Sequence, residues 1–411
     1  MKTSPNRIAA AAFVLLMLAM AGTWWMSPAG KASRTDDTSQ AVAARDVARS
    51  GSAARMRSPT SASPSQPSEA TEQCGKALNA ALHAHAASLE HRRDAQSQLG
   101  YALAAPFTVF AELAKTGERE MDVDAVKRRF EQQRVASQQA FARARALAPD
   151  NPDIPWLAAI QCGVEVSCQG VREELLAAEP DNAAAWLREM AWARMRNDQA
   201  GVERAFQRAA EASRYDRHAG ASQLAILDAL SAVAMPAECK AGNVQAELRK
   251  LFPGEGAVGV ADFVLVVANS LAGIEAPAYT DIRERCSSGN ASGLDAGRRA
   301  ACGKVLEKLA ASDSMLDQAI ALGLLVELAG DGDDAARWRE RYREHYWLRA
   351  HMGKPGLRQL TSEDYAFDEL GAMQRALEAA GLWPPPAGWL PDDKHARSLI
   401  QTGRKPPESR R

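Results

Sequence analysis

Short motifs that build catalytic or metal sites are absent from this chain of 411 residues. It contains no Walker A element, G-x-S-x-G, S-x-x-K or H-E-x-x-H. No C-x-x-C pair occurs, and the histidines do not lie beside the cysteines, so the sequence predicts neither a metal nor another cofactor. Catalytic groups also assemble from distant positions, so an enzyme stays open as an alternative without named residues.

The chain also lacks an excess of one charge, since 50 Lys and Arg oppose 51 Asp and Glu. Eight of the basic residues but three of the acidic ones precede residue 68, which leaves a net charge of −6 on the remainder. A nucleic-acid-binding body shows a basic face. The sequence therefore predicts no nucleic-acid partner.

Runs of β-branched residues are scarce, while alanine dominates and the 3.6-residue apolar period recurs between short polar turns. We therefore expect an all-α protein of stacked antiparallel helical hairpins, with repeat-like hairpins over 69–215 and an irregular helical domain continuing the stack over 216–401. Residues 254–259 match G-x-G-x-x-G, but no strand precedes them, so the pattern favours a connection between helices over a dinucleotide site.

Residues 1–26 predict an export signal. Lys2 and Arg7 precede an uncharged apolar run from Ile8, and Ala19-Met20-Ala21 is typical of a cleavage site. The apolar run extends through Met26, which is close to the length that spans a bilayer. A cleaved signal and an uncleaved anchor over residues 8–26 both remain open, and in either case the N-terminal segment is the predicted contact with a membrane.

Residues 27–68 are rich in Ser, Ala, Pro and Arg and predict a disordered tether, while 402–411 predict a disordered basic tail. The 38 Arg against 12 Lys, together with the abundant Ala, favour a bacterial genome rich in G and C. We therefore expect the bulk of the chain in the periplasm, either soluble or tethered to the inner membrane.

The six cysteines of an exported chain predict three disulfide bonds rather than a metal site. Proximity in sequence favours two short pairs and leaves one distant pair. The predicted bonds are Cys162–Cys168, Cys286–Cys302 and Cys74–Cys239.

Residues 180–215 predict a helix, a short polar turn and a second helix. Both helices carry apolar residues at i, i+4 and i+7: Trp186, Met190 and Ala193 in the first, Val202, Phe206 and Ala209 in the second. The hairpin resembles a tetratricopeptide repeat, and the resemblance extends partially over 124–215. Glu189-Met190 stands where that family has Leu-Gly.

The resemblance implies binding of a protein or peptide on the concave face of the repeats. On that face we expect Leu187, Ala191, Arg194 and Met195 to line a groove. Members of the family that grip a C-terminal carboxylate carry Lys and Asn there, so Leu187 and Ala191 put such a grip in doubt. The sequence thus favours an envelope protein that binds or scaffolds other proteins over an enzyme.

A second binding surface is an alternative. Aromatic and basic residues alternate on the predicted helix that contains Trp338, Tyr342, His345, Tyr346 and Trp347, which suits a glycan or another small ligand. Helical spacing favours a different interpretation, in which the aromatic side of this helix lies in the core. The sequence leaves the oligomeric state open.

Overall fold

The computed structural model of the chain describes residues 68–115, 123–162, 168–251, 256–264, 279–287, 294–351 and 368–405. These ranges contain helices and no named strand, so the predicted all-α class is confirmed. A 3₁₀ turn spans Ala237–Cys239. In chain order the α-helices are α1 (Glu69–Glu90), α2 (Ala95–Lys115), α3 (Val123–Leu147), α4 (Asp153–Ile160), α5 (Gln169–Ala178), α6 (Ala183–Met195), α7 (Gln199–Glu211), α8 (Ala219–Ser231), α9 (Gly242–Leu251), α10 (Tyr279–Cys286), α11 (Ala296–Ala310), α12 (Met315–Ala329), α13 (Ala335–His351), α14 (Glu369–Ala379) and α15 (Lys394–Thr402).

Both chain ends differ in part from the prediction. The predicted signal or anchor, the tether up to residue 67 and the tail from residue 406 lie outside the described residues. Ser68 is an N-cap rather than tether, and its hydroxyl donates to Glu247. The predicted tail begins with ordered residues, since Arg404 and Lys405 pair with Asp331 and Glu327. Among the helices that are described, none has the length and apolar character needed to span a bilayer.

Several helices begin at a side chain that accepts a backbone N–H from the first turn. Such an N-cap satisfies one of the donors that a helix leaves unpaired at its start. The sequence places Ser, Asp or Asn at these positions, which is why the breaks in the apolar period coincide with helix starts. The capping residues include Ser68, Asn182, Asp198, Asp295, Ser314, Asp368 and Asp393.

Helix α2 continues past Pro106, although a proline inside a helix usually ends or kinks it. A proline inside a helix has no N–H to donate to the carbonyl four residues earlier. Here that carbonyl belongs to Ala102, and it accepts a hydrogen bond of 2.7 Å from the hydroxyl of Ser137 on α3. Ser137 is fully buried. A neighbouring helix thus supplies the hydrogen-bond donor that proline lacks. The sequence of α2 alone does not predict this donor.

Helix α6 lies between the two main apolar clusters of the described chain. Ala184, Ala185 and Trp192 pack in the first cluster with helices α1–α5, α8 and α9, while Leu187 and Met190 pack in the second with α7 and α10–α13. Both sides of α6 are therefore buried. This central position explains why most of the thirteen residues of α6 are small or apolar on all sides of the helix.

The α6–α7 hairpin forms as predicted. Met190 and Phe206 are fully buried between its helices. Trp186 retains some exposed surface, because its indole N–H donates to the carbonyl of Pro180 at 2.7 Å and the guanidinium of Arg208 lies over its ring. Asn197 turns the chain in the left-handed region, with a φ of 59°.

The three disulfide bonds are those that sequence proximity predicts. Loop-closure entropy ranks their contributions to stability, at about 2 kcal/mol for Cys162–Cys168, about 3 for Cys286–Cys302 and about 5 for Cys74–Cys239. No cysteine is free. Three such bonds indicate an oxidising, extracytoplasmic environment.

Candidate functional site

One of the four residues predicted to line a groove, Leu187, does not reach the surface. Its side chain is fully buried in the second cluster, beside Met190. The prediction is wrong for Leu187, because it assumed one open face on α6 and the fold buries both faces. No partner can contact Leu187 in the folded chain.

The other three predicted residues lie at the surface end of α6. Ala191 is half-buried, and Met195 keeps 51% of its surface exposed. The guanidinium of Arg194 contacts the carboxylate of Asp281 on α10 and lies 3.1 Å from that of Glu284. Ala191, Arg194, Met195, Asp281 and Glu284 are called the Arg194 surface below.

Most of the predicted aromatic residues of α13 lie inside the protein, and Tyr346 is half-buried. Trp338, Tyr342, His345 and Trp347 are all buried, so their faces are not available to stack on a glycan. Arg341 packs over the ring of Trp338 and donates to the carbonyl of Ala310. The core interpretation of this helix therefore accounts for its pattern, and the ligand-binding alternative has no exposed aromatic platform on these four residues.

The proline-rich segment after α14 packs against the same helix. The indole N–H of Trp347 donates to the carbonyl of Leu382 at 2.8 Å, and Trp389 meets the Trp347 ring edge to face with centroids 4.8 Å apart. Trp383 packs against the same apolar cluster. These tryptophans hold the segment against α13 and α14.

A short segment, Arg214–His218, connects α7 to α8. It follows α7 and forms a parallel bridge with Asn182, in which the N–H of Ala183 donates to the carbonyl of Arg214 at 2.8 Å. Alternate side chains of an extended segment point to opposite sides. Arg214, Asp216 and His218 accordingly meet one buried polar cluster, and Tyr215 and Arg217 meet another.

His218 is the centre of the first cluster. Its Nδ1 lies 2.8 Å from Asp153 at the start of α4, and its Nε2 lies 2.6 Å from Glu179 just after α5. Arg214 approaches the other oxygen of Glu179 at 3.2 Å. His218 also adopts the left-handed backbone region, with a φ of 49°, which side chains rarely occupy.

The surrounding carboxylates determine the charge of His218. Burial alone would lower its pKa, but hydrogen bonds with Asp153 and Glu179 and the charge of Asp216 raise it to about 10. For Glu179, burial opposes ionisation, yet hydrogen bonds from His218 and Asn182 leave its pKa below the usual value. His218 is thus an imidazolium near neutral pH and cannot accept a proton there.

Asp317 on α12 is the centre of the second cluster and has no exposed surface. It accepts hydrogen bonds from Tyr279, from Arg217 at 3.3 Å and from Ser312 at 3.1 Å. Burial and the charge of Asp317 raise the pKa of Tyr279 far above its usual range, so the phenol stays protonated. A substrate cannot reach Asp317, so this arrangement holds α10, α12 and the connecting segment together.

Sequence reasoning missed both clusters, because it ended the recognisable hairpin at Tyr215. No period-two signal marks this segment, because charged residues stand on both alternating sets, Arg214 and Asp216 on one and Arg217 on the other. Among the described residues, no group of His, Cys, Asp and Glu is arranged to hold a metal ion.

Comparisons with known proteins place the chain in no family. No protein-family model matches it, and neither a curated protein nor a solved structure shows significant similarity.

Proposed function

We propose that this chain is an exported, periplasmic helical-repeat protein that binds a protein partner through the Arg194 surface. The observation that carries the proposal is the exposed Met195 beside the ion-paired Arg194 at the end of the central helix α6. Helical hairpins that stack side by side offer continuous surfaces to protein partners. The resemblance of the α6–α7 hairpin to a tetratricopeptide repeat supports the same role.

The charges of the surface define the partner's chemistry. Arg194 is already paired with Asp281 and Glu284, so a free C-terminal carboxylate would have to displace two carboxylates. One cation against two anions leaves this surface with a net charge of −1. Glu284 is largely exposed, and the apolar Met195 directly follows in sequence the arginine that Glu284 contacts. The partner therefore presents an apolar side chain next to a Lys or Arg.

The buried clusters support a binding role over an enzymatic one. His218 is held as a cation, and Asp317 is sealed from solvent. Both groups are occupied by partners within the chain rather than directed at an open site. Their hydrogen bonds account for their presence as part of the fold.

The test is site-specific photo-crosslinking in intact cells. A photoreactive phenylalanine analogue replaces Met195, and the control places it at Gln207, an exposed residue of α7. We expect a discrete crosslinked adduct from position 195 that position 207 does not produce. The charge reversal Glu284→Lys in the position-195 protein should reduce that adduct at least fivefold. Identical adducts at both positions, or an adduct unaffected by Glu284→Lys, would refute the proposal.

A further inference from the structure

Helices α4 and α5 form a hairpin that is closed at both ends. Cys162 follows α4 and Cys168 precedes α5, so their disulfide closes the turn end. At the open end, His218 bridges Asp153 at the start of α4 and Glu179 just after α5. One closure is covalent and the other is electrostatic, and both act on the same pair of helices.

The sulfur atoms of this bond face hydrogen-bond donors. The amide Nε2 of Gln138 lies 3.1 Å from Sγ of Cys162, and Nη1 of Arg134 lies 3.6 Å from Sγ of Cys168. Glu131 binds Nε and Nη2 of Arg134 and orients the guanidinium. Glu131 is exposed while Arg134 is nearly buried, so solvent screens the carboxylate more than the cation.

The other two disulfides have the opposite surroundings. Sγ of Cys239 lies 3.3 Å from the carbonyl oxygen of Cys74. Sγ of Cys302 lies 3.8 Å from the carbonyl oxygen of Arg285. A carbonyl oxygen opposes negative charge on sulfur, whereas a guanidinium and a helix N-terminus favour it. Cys168 has both of these. The guanidinium is that of Arg134, and the helix N-terminus is that of α5, of which Cys168 is the N-cap residue.

We propose that the Cys162–Cys168 bond is a thiol–disulfide switch, which a dithiol opens and which thereby loosens the hairpin that holds His218. This inference does not rest on the Arg194 surface. Disulfide exchange is faster when the environment stabilises the negative charge of the leaving thiolate. Cys168 is that leaving group because Arg134 lies beside its sulfur, and Cys162, which is buried with 3% of its surface exposed, is the sulfur that the dithiol attacks.

The exchange takes two steps. A thiolate of the dithiol attacks Sγ of Cys162, the Cys162–Cys168 bond breaks, and Cys168 leaves as a thiolate beside Arg134. The second thiol of the reagent then attacks the reagent sulfur that is bonded to Cys162. This step closes the cyclic disulfide and releases Cys162 as a thiolate. The dithiol is oxidised by two electrons to a cyclic disulfide, and its two protons end on solvent or on the two cysteines.

The first test measures which bond opens first in the folded, full chain. The protein is treated with graded dithiothreitol, free thiols are alkylated, and peptide mass mapping follows each pair. We expect Cys162–Cys168 to open at least tenfold faster than the other two bonds. If either other pair opens first or at the same rate, the proposal fails. This result is obtained on the wild-type chain and needs no variant.

Variants then test the role of Arg134. Arg134→Gln should slow the opening roughly three- to tenfold, because the leaving thiolate loses its neighbouring cation. Arg134→Lys should restore most of the rate, while Arg128→Gln, at an exposed position on the same helix, should change it less than twofold. Equal rates for Arg134→Gln and the wild type would overturn the assignment of Cys168 as the leaving group.

Hydrogen exchange tests the coupling to His218. In the variant Cys162→Ser/Cys168→Ser, amides of 169–178 and 214–218 should exchange at least tenfold faster than in the wild type, and amides of α11 and α12 should be unchanged. Unchanged exchange over 214–218 would show that the bond does not control the His218 end, and would overturn the switch.

Discussion

Two buried histidines, His218 and His345, have opposite electrostatic environments. His218 lies between Asp153 and Glu179, which hold it as an imidazolium. His345 on α13 is 2% exposed, and neither ring nitrogen has a hydrogen-bond partner among the described residues. Burial and the charge of Arg349 lower the pKa of His345 to about 4, so its imidazole is neutral.

The difference shows that burial alone does not decide the charge of an imidazole. Burial penalises the charged form at both positions, but two hydrogen-bonded carboxylates reverse the outcome for His218. Folding therefore favours one protonation form of each histidine, which is the cation of His218 and the neutral imidazole of His345.

The largest expected effect comes from removing His218. His218→Ala should lower the free energy of unfolding by about 3–5 kcal/mol, because Glu179 is then buried without its main cationic partner. Chemical denaturation at neutral pH measures the change. His91→Ala is the control at an exposed position of the same residue type and should change stability by less than about 0.5 kcal/mol. Similar losses in both variants would contradict the role of the cluster.

The alkaline side of the stability profile should depend on His218. Its folded pKa of about 10 exceeds its unfolded value of about 6.5, so its contribution is complete below pH 6.5 and is lost as pH rises towards 10. We expect this loss to be roughly 3 kcal/mol. Denaturation at pH 6.5, 8 and 9.5 measures it in the wild type and in His218→Gln. A loss of the same size in both proteins would assign it to other groups.

The acid side should depend on His345 in the opposite sense. Its folded pKa of about 4 lies below the unfolded value, so the unfolded chain binds more protons and stability falls as pH drops from about 6.5 to about 4. The expected loss is roughly 2–3 kcal/mol. His345→Leu should remove this part of the pH dependence, and an unchanged slope in the variant would show that His345 is not its source.

The smallest effect concerns His345 at a pH where it is neutral. A buried polar group without partners opposes folding, so His345→Leu at pH 8 should raise the free energy of unfolding by about 1 kcal/mol. Thermal and chemical denaturation measure this gain. A loss of more than about 1 kcal/mol would instead mean that the imidazole packs better than leucine or has a partner in solution.

Much of the helical architecture follows from local sequence. The apolar period and the capping residues mark where α6 and α7 begin, and the turn at Asn197 separates them as predicted. The two short disulfides follow from proximity, since few residues separate their cysteines, and Cys74–Cys239 is the remaining pair. The aromatic spacing of α13 also favours the core position that the structure shows.

Two features that local sequence rules do not explain depend on neighbours distant in sequence. Pro106 stays inside α2 because Ser137 of another helix satisfies the carbonyl of Ala102. Leu187 is buried because a second apolar cluster covers the face of α6 that a lone hairpin would leave open. A periodicity argument assigns faces to a helix but does not count how many of those faces other helices will cover.

The sequence by itself determined that this protein is helical, where many of its helices begin, and that its cysteines pair. Those properties arise from interactions within a few residues or from the simple closure of a loop. Only the tertiary structure decided the charge of His218, the neutrality of His345 and the burial of both sides of α6. Each of these depends on which groups meet across long separations, because the electrostatic environment of a buried side chain is set by its neighbours in space.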